Sequence, residues 1–266
     1  MSEAREAAFP AVLERRYACE GVLGRGATGI VFGARDREHG QPVAIKVLAP
    51  EASLELDQAR FEREARVLAE LEHPGVVRLL ETGIHGSTKY FVTERLEGPT
   101  LAGRLAAGPL PVRQVVEVLD GVLAALEHVH GAGLVHRDIK PSNIVLTPRG
   151  PVVIDFGLSR EQSTELTLPG VVVGTPEYMS PELVVGEPPT AAADLFAAAL
   201  TGLEALTRVD VHGAEESGAG SSARIASSLA SGAYLAAAAT ALEPHGALGR
   251  VLLRALARRP EDRFAS

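Results

Sequence analysis

His136-Arg137-Asp138-Ile139-Lys140-Pro141-Ser142-Asn143 puts a histidine, two cations, an acid and an amide into eight residues, with a proline to stiffen the path. Residue usage singles the stretch out. Asn143 is the only asparagine in the chain, and Lys140 is one of three lysines, with Lys46 and Lys89. The other 23 of 26 basic residues are arginine. A chain that otherwise avoids both residue types, yet sets one of each within four positions, uses their particular chemistry there. On these residues alone a plainer alternative stays open, a turn in which Arg137 and Asp138 pair by chance.

The flanks of this stretch extend the pattern. Before it, apolar residues at 112, 115, 119, 122, 126 and 129 recur at threes and fours and predict a helix over about 111–131 with a buried face. His128 and His130 near its end read as capping or surface residues rather than metal ligands. After it, Ile144-Val145-Leu146, the turn TPRG and Val152-Val153-Ile154 predict a hairpin that runs into Asp155-Phe156-Gly157. A carboxylate at the mouth of an apolar strand suits a metal ion, although an ordinary Asp-x-Gly turn reads the same way. Residues 158–180 are rich in Ser, Thr and Gly and predict a long functional loop.

Toward the N-terminus, residues 1–16 offer no obvious apolar face and are expected to be a loosely docked lead-in. Gly24, Gly26 and Gly29 form GxGxxG between two strand-like runs. That context disfavours a dinucleotide-binding turn, which joins a strand to a helix, and suits a flap laid over phosphates. Val43–Leu48 reads as a strand, and Lys46 within it needs an anion if it points inward. An amphipathic helix is predicted over 54–71, with Glu64 beside its apolar stripe as candidate partner for Lys46. His73-Pro74 stops that helix, and strands are predicted at Val76–Leu80 and Tyr90–Glu94 around the turn IHGSTK.

Composition bounds the rest. With 266 residues the chain can form one large domain or two lobes. A net charge of −8 argues against a general nucleic-acid surface. The single cysteine, Cys19, cannot close an internal disulfide, which fits a reducing compartment. No run of 18 apolar residues and no signal-like start is found, so the reading is a cytoplasmic domain with no membrane segment in this chain, a membrane tether in the full-length protein being left open.

Taken in order, GRGATG, VAIK, Glu64, HRDIKPSN, DFG, GTPEYMSPE and RRPEDR resemble the signature elements of bacterial eukaryotic-like (Hanks-type) serine/threonine protein kinases, over about Tyr17 to Arg263. The resemblance implies an α+β bilobal fold. The N-lobe, 17–96, would hold a five-stranded antiparallel sheet and one helix, and the mainly helical C-lobe would span 97–266. It implies ATP and Mg²⁺, or Mn²⁺ in its place, as cofactors, and protein substrates including the chain itself, with a homodimer left open.

Residue roles follow from the same resemblance. Leu23, Gly24, Gly26, Gly29, Val31, Ala44, Glu94, Leu96 and Val145 match ATP-contacting positions, with Thr93 as gatekeeper. Lys46, oriented by Glu64, would hold phosphates, and Asn143 and Asp155 would bind the metal. Asp138 would be the catalytic base and Lys140 a charge clamp. Arg137 would await a phosphate on the loop, with Thr167 the first candidate and Thr164 the second, while Thr175 would face the substrate. Leu68, Leu79, Phe156 and His136 match a stacked apolar column, Asp194 an anchor of the catalytic loop, and Glu182 with Arg263 a tie in the lower lobe.

Residues 210–246 depart from the family pattern: they are rich in Gly, Ser and Ala and are expected to be partly disordered. The chain ends three residues after Arg263, which suggests a piece of a longer protein. Two other classes stay open on these residues, a pseudokinase that binds nucleotide as a regulatory module and a small-molecule phosphotransferase.

Overall fold

A computed structural model describes residues 9–26, 28–49, 58–85, 88–156, 176–212 and 221–265, with backbone alone at 58–61, 176 and 221. The loop positions Thr164, Thr167 and Thr175 lie outside these residues, as do Gly157 and the first part of the predicted helix, 54–57. The described residues of 1–72 and 77–96 form one compact unit, and those of 73–76, 97–157 and 162–266 form a second.

The first unit is built on a five-stranded antiparallel sheet, β1 (Tyr17–Gly26), β2 (Gly29–Asp36), β3 (Pro42–Leu48), β4 (Leu79–His85) and β5 (Thr88–Glu94), in the order β1-β2-β3-β5-β4. Its helix, here α2 (Gln58–Glu70), packs on β4. Strand side chains alternate between faces, so β3 divides cleanly. Val43 and Ile45 are fully buried and join Leu13, Tyr17, Ala34 and Val92 in one core cluster. Ala44 and Lys46 therefore share the opposite face.

Two expectations for this unit need correction. The lead-in is docked from residue 9 onward: Leu13, on the short helix α1 (Ala11–Glu14), is buried in the core cluster, and the Phe9 ring meets Phe32 edge-on at 5.2 Å. The apolar pair Phe9 and Leu13, four apart, was hidden by the alanines and charges around it. The strand predicted at Val76–Leu80 begins instead at Leu79 and runs to His85, with Ile84 opposite Lys89 and His85 opposite Thr88. Cross-strand pairing thus extends into the presumed turn from both sides. Val76 instead makes a lone parallel bridge to Val153 within the second unit.

In the second unit, helices α3 (Leu101–Leu105) and α4 (Val112–Gly131) precede the hairpin of β6 (Ile144–Thr147) and β7 (Gly150–Val153). Helix α3 is capped by Thr100 Oγ1, which accepts the Gly103 N–H at 3.1 Å. On α4 the predicted apolar face is buried except at its first position, since Val112 is 45% exposed. Then come α5 (Pro181–Val184), α6 (Ala191–Thr207), α7 (Ser221–Ser231), α8 (Tyr234–Leu242) and α9 (Gly246–Ala255). Helix α6 is apolar nearly all round and correspondingly buried, against α4, α8 and α9.

Of the region expected to be partly disordered, residues 221–246 are mostly helical, while Asp210–His212 are irregular. Alanine, the strongest helix former, fills α8, and Ile225, Leu229, Tyr234, Ala238 and Leu242 recur at spacings of four and five, all buried. Residues 213–220 lie outside the described residues.

Candidate active site

In the first unit, register collects the predicted nucleotide-contacting residues on one sheet face. Val31 pairs with Lys46 and Gly33 with Ala44 across β2 and β3, while Lys46 pairs with Phe91 and Ala44 with Thr93 across β3 and β5. Directly opposed residues in antiparallel strands point the same way, so Val31, Ala44, Lys46 and Thr93 share the face away from the core cluster. Leu23 lies over the same face, because a Cβ added to Gly33 would meet its side chain at 3.2 Å. Thr93 Oγ1 donates to the Ala44 carbonyl at 3.5 Å.

The glycine flap is the β1–β2 hairpin, in which Gly24 pairs with Val31 and Gly26 with Gly29. The three glycines are unequal. A Cβ on Gly29, whose φ is +149°, would lie 2.1 Å from the Val47 carbonyl oxygen, so the sheet itself requires glycine there. A Cβ on Gly24 or Gly26 would meet nothing within 4 Å among the described residues. Glu64 is buried on α2, and Lys46 lies at mid-strand in β3 of the same unit. At the end of β5, Glu94 donates its N–H to the Arg78 carbonyl and its carboxylate accepts the Arg78 N–H, both at 3.0 Å, leading to the half-buried Leu96.

In the second unit the stretch 136–143 is anchored by α6. The buried Asp194 carboxylate accepts the backbone N–H groups of His136 at 2.7 Å and Arg137 at 2.8 Å. Its Oδ2 also lies 2.8 Å from His130 Nε2. His130 is therefore neither cap nor surface residue, which sequence reasoning missed. The signal was present in its position, two residues after His128 and on the buried side of α4. Arg137, at φ +68°, adopts the left-handed backbone that non-glycine residues rarely take, as does Asp155 at φ +59°. Such conformations persist where surrounding bonds hold them, commonly at functional sites.

His136 is fully buried. Its Nδ1 accepts the Asp138 N–H at 3.2 Å, so its Nε2 carries the proton donated to the Ile154 carbonyl at 3.0 Å. Burial pushes its pKa down, outweighing the nearby carboxylates of Asp194 and Asp138, and the ring stays neutral. It packs on Phe156 with ring centroids 4.6 Å apart. Of the apolar column, Leu68 and Leu79 are buried in the first unit, and His136 and Phe156 meet in the second.

Around the candidate base, Lys140 Nζ stands 2.9 Å from Asp138 Oδ2. Asn143 Nδ2 donates to the same oxygen at 2.9 Å and to the Asp138 carbonyl at 2.8 Å. With its nitrogen so engaged, the Asn143 amide oxygen is the atom of this side chain that could ligate a cation. The hairpin sets Asn143 beside the approach to Asp155, since the Ile154 N–H donates to the Asn143 carbonyl at 2.9 Å and Ile144 pairs with Val153. A neutral amide oxygen and a carboxylate are hard donors of the kind Mg²⁺ takes. Val145, the predicted floor of the adenine site, is buried in β6.

Two further ties hold the lower part of this unit. Arg263, 3% exposed, makes two parallel bonds of 2.7 Å to Glu182 and donates to the carbonyls of Ala192 and Ala257. Tyr178 donates to Glu204 on α6, and burial together with that carboxylate pushes the phenol pKa far up.

A model of the protein kinase domain matches residues 17–240. Among curated proteins, a probable serine/threonine-protein kinase of Streptomyces coelicolor, SCO3848, is 41% identical over 209 residues, covering 74% of this chain and 31% of its own length. PknA of Mycobacterium tuberculosis, a serine/threonine-protein kinase, is 37% identical over 204 residues, 73% of this chain and 47% of its own. The chain thus spans about a third to a half of the length of these relatives. Among solved structures, the PknI kinase domain of M. tuberculosis superposes with a TM-score of 0.70 at 28% identity, covering 94% of this chain and 91% of that one.

Proposed function

Because the chain belongs to the protein kinase domain family, we propose that it transfers the γ-phosphate of ATP to serine and threonine hydroxyls of proteins, its own loop among them. One observation carries this reading. The Asp138 carboxylate is gripped on one oxygen by both Lys140 and Asn143, each at 2.9 Å. An acid so oriented can accept a hydroxyl proton and aim the oxygen in line, while the lysine stabilises charge passing to the phosphate.

Asn143 and Asp155 are the residues that would hold a divalent cation, Mg²⁺ or Mn²⁺. When bound, that cation neutralises charge on the phosphate oxygens. Lys46, set by Glu64, takes α- and β-phosphate charge, and Gly24, Gly26 and Gly29 let backbone amides approach the phosphates. Leu23, Val31, Ala44 and Val145 contact the adenine, and the backbone from Glu94 to Leu96 bonds its edge. Arg137 pairs with a phosphate placed on Thr167 or, second, Thr164, and Thr175 faces the accepting hydroxyl. Protein substrates meet the enzyme in the cytoplasm, and a homodimer serves autophosphorylation.

Mass spectrometry after incubation with Mg-ATP tests the reading. Phosphate on Thr167 or Thr164 is expected, and its absence from residues 158–175 would contradict autophosphorylation at the loop.

A further inference from the structure

We propose that His73 and His128 form a pH-sensitive pin that positions β7 and the approach to Asp155. The effect on activity rests on the phosphotransfer reading above; the pin itself does not. The two imidazoles stack with centroids 5.2 Å apart and planes 24° from parallel. His73 stands in the segment 73–76, which follows α2 in the chain yet belongs to the second unit, and His128 stands on α4.

The hydrogen bonding makes the pin sensitive to protons. His73 Nδ1 accepts the Gly75 N–H at 3.1 Å, so the neutral ring carries its proton on Nε2. An imidazolium has N–H on both nitrogens. Protonating His73 would turn an acceptor into a donor aimed at a donor, and would set a positive charge on the face of a second titratable ring.

Gly75 transmits the loss. A Cβ there would lie 3.1 Å from the Ala125 Cβ and 3.2 Å from the Gly121 carbonyl, so the backbone is pressed onto α4. The Gly75 carbonyl accepts the Val153 N–H at 2.8 Å, and Val76 bridges to Val153. Val153 ends β7, two residues before Asp155. Of the titratable and charged residues of α4 (Arg113, Glu117, Asp120, Glu127, His128 and His130), His128 is the one that acts on His73, and β7 carries none. Burial first and His128 second push the His73 pKa down.

The sign follows. The released segment takes a proton at the ordinary histidine value of 6.5, and the pinned one only at lower pH. The pin is therefore intact above that value and weakens below it.

Amide hydrogen exchange by NMR on the whole chain tests this. Corrected for intrinsic rates, protection of Gly75 and Val153 should fall, by up to about tenfold, between about pH 7.5 and about pH 5.5. His73→Asn keeps an acceptor oxygen that does not titrate, and should flatten the step. His128→Phe keeps a ring in the stack without its charge, and should move the midpoint upward. The acid limb of kcat should follow the same pattern. Unchanged protection in the wild type, or an Asn variant that loses it as the wild type does, overturns the pin. If the Asn variant does not fold, an unmoved midpoint in His128→Phe does so. If the amides respond as stated but no phosphotransfer occurs at any pH, the pin stands and the kinase reading falls.

Discussion

Asp194 Oδ2 lies 2.7 Å from the backbone nitrogen of His136, with the Arg137 nitrogen 2.8 Å from the other carboxylate oxygen. One buried acid on α6 thus fixes the backbone from which Asp138 projects. The His130 ring bears on the same oxygen at 2.8 Å and limits how the carboxylate can turn.

Replacing Asp194 by alanine leaves these two N–H groups without their acceptor, at about 1–3 kcal/mol each. Urea unfolding should show a loss in that range or above, and phosphotransfer should fall further than the fraction unfolded explains. An unaltered unfolding midpoint would contradict the anchoring role.

The glycines of the flap should separate in mutation. Gly29→Ala drives a Cβ to 2.1 Å from the Val47 carbonyl at a φ of +149°, and should cost about 2 kcal/mol or more in stability. Gly24→Ala and Gly26→Ala meet nothing within 4 Å among the described residues and should remain within about 1 kcal/mol of the wild type. Their effect should appear as a raised KM for ATP. Equal destabilisation by all three would show that the hairpin is packed otherwise.

Much of the fold was legible because short-range signals agreed. The β-branched run at 43–48 marked β3, and the three-and-four spacing marked α4. What escaped depended on partners far along the chain. Leu13 is buried only because Ala34, Val43 and Val92 meet it. The helices α7 and α8 looked like low-complexity sequence because glycine and serine masked buried positions at Ile225, Leu229 and Tyr234. Lys46, Lys140 and Asn143 are rare residue types in this chain and so stood out, whereas His130 resembled any helix-end histidine until Asp194, 64 positions away, was brought to it.

Tyr234 predicts an alkaline limb of stability. It is fully buried, and its hydroxyl donates to the Leu256 carbonyl at 2.8 Å. Burial pushes its pKa from 10.0 up to about 12. The unfolded chain gives up this proton first, so the contribution is complete below pH 10.0 and is lost as pH rises toward about 12. Tyr234→Phe should cost about 1 kcal/mol at neutral pH and make the thermal midpoint less steep across that window. An identical slope in both proteins would contradict the assignment.

Asp138 is proposed as the base in phosphotransfer from ATP. The most direct measurement compares phosphotransfer and nucleotide binding by the wild type and Asp138→Asn with Mg²⁺ or Mn²⁺ present. Nucleotide affinity should stay within about twofold, and turnover should fall by roughly 100-fold to 10,000-fold. Equal phosphotransfer by the two proteins would contradict this role.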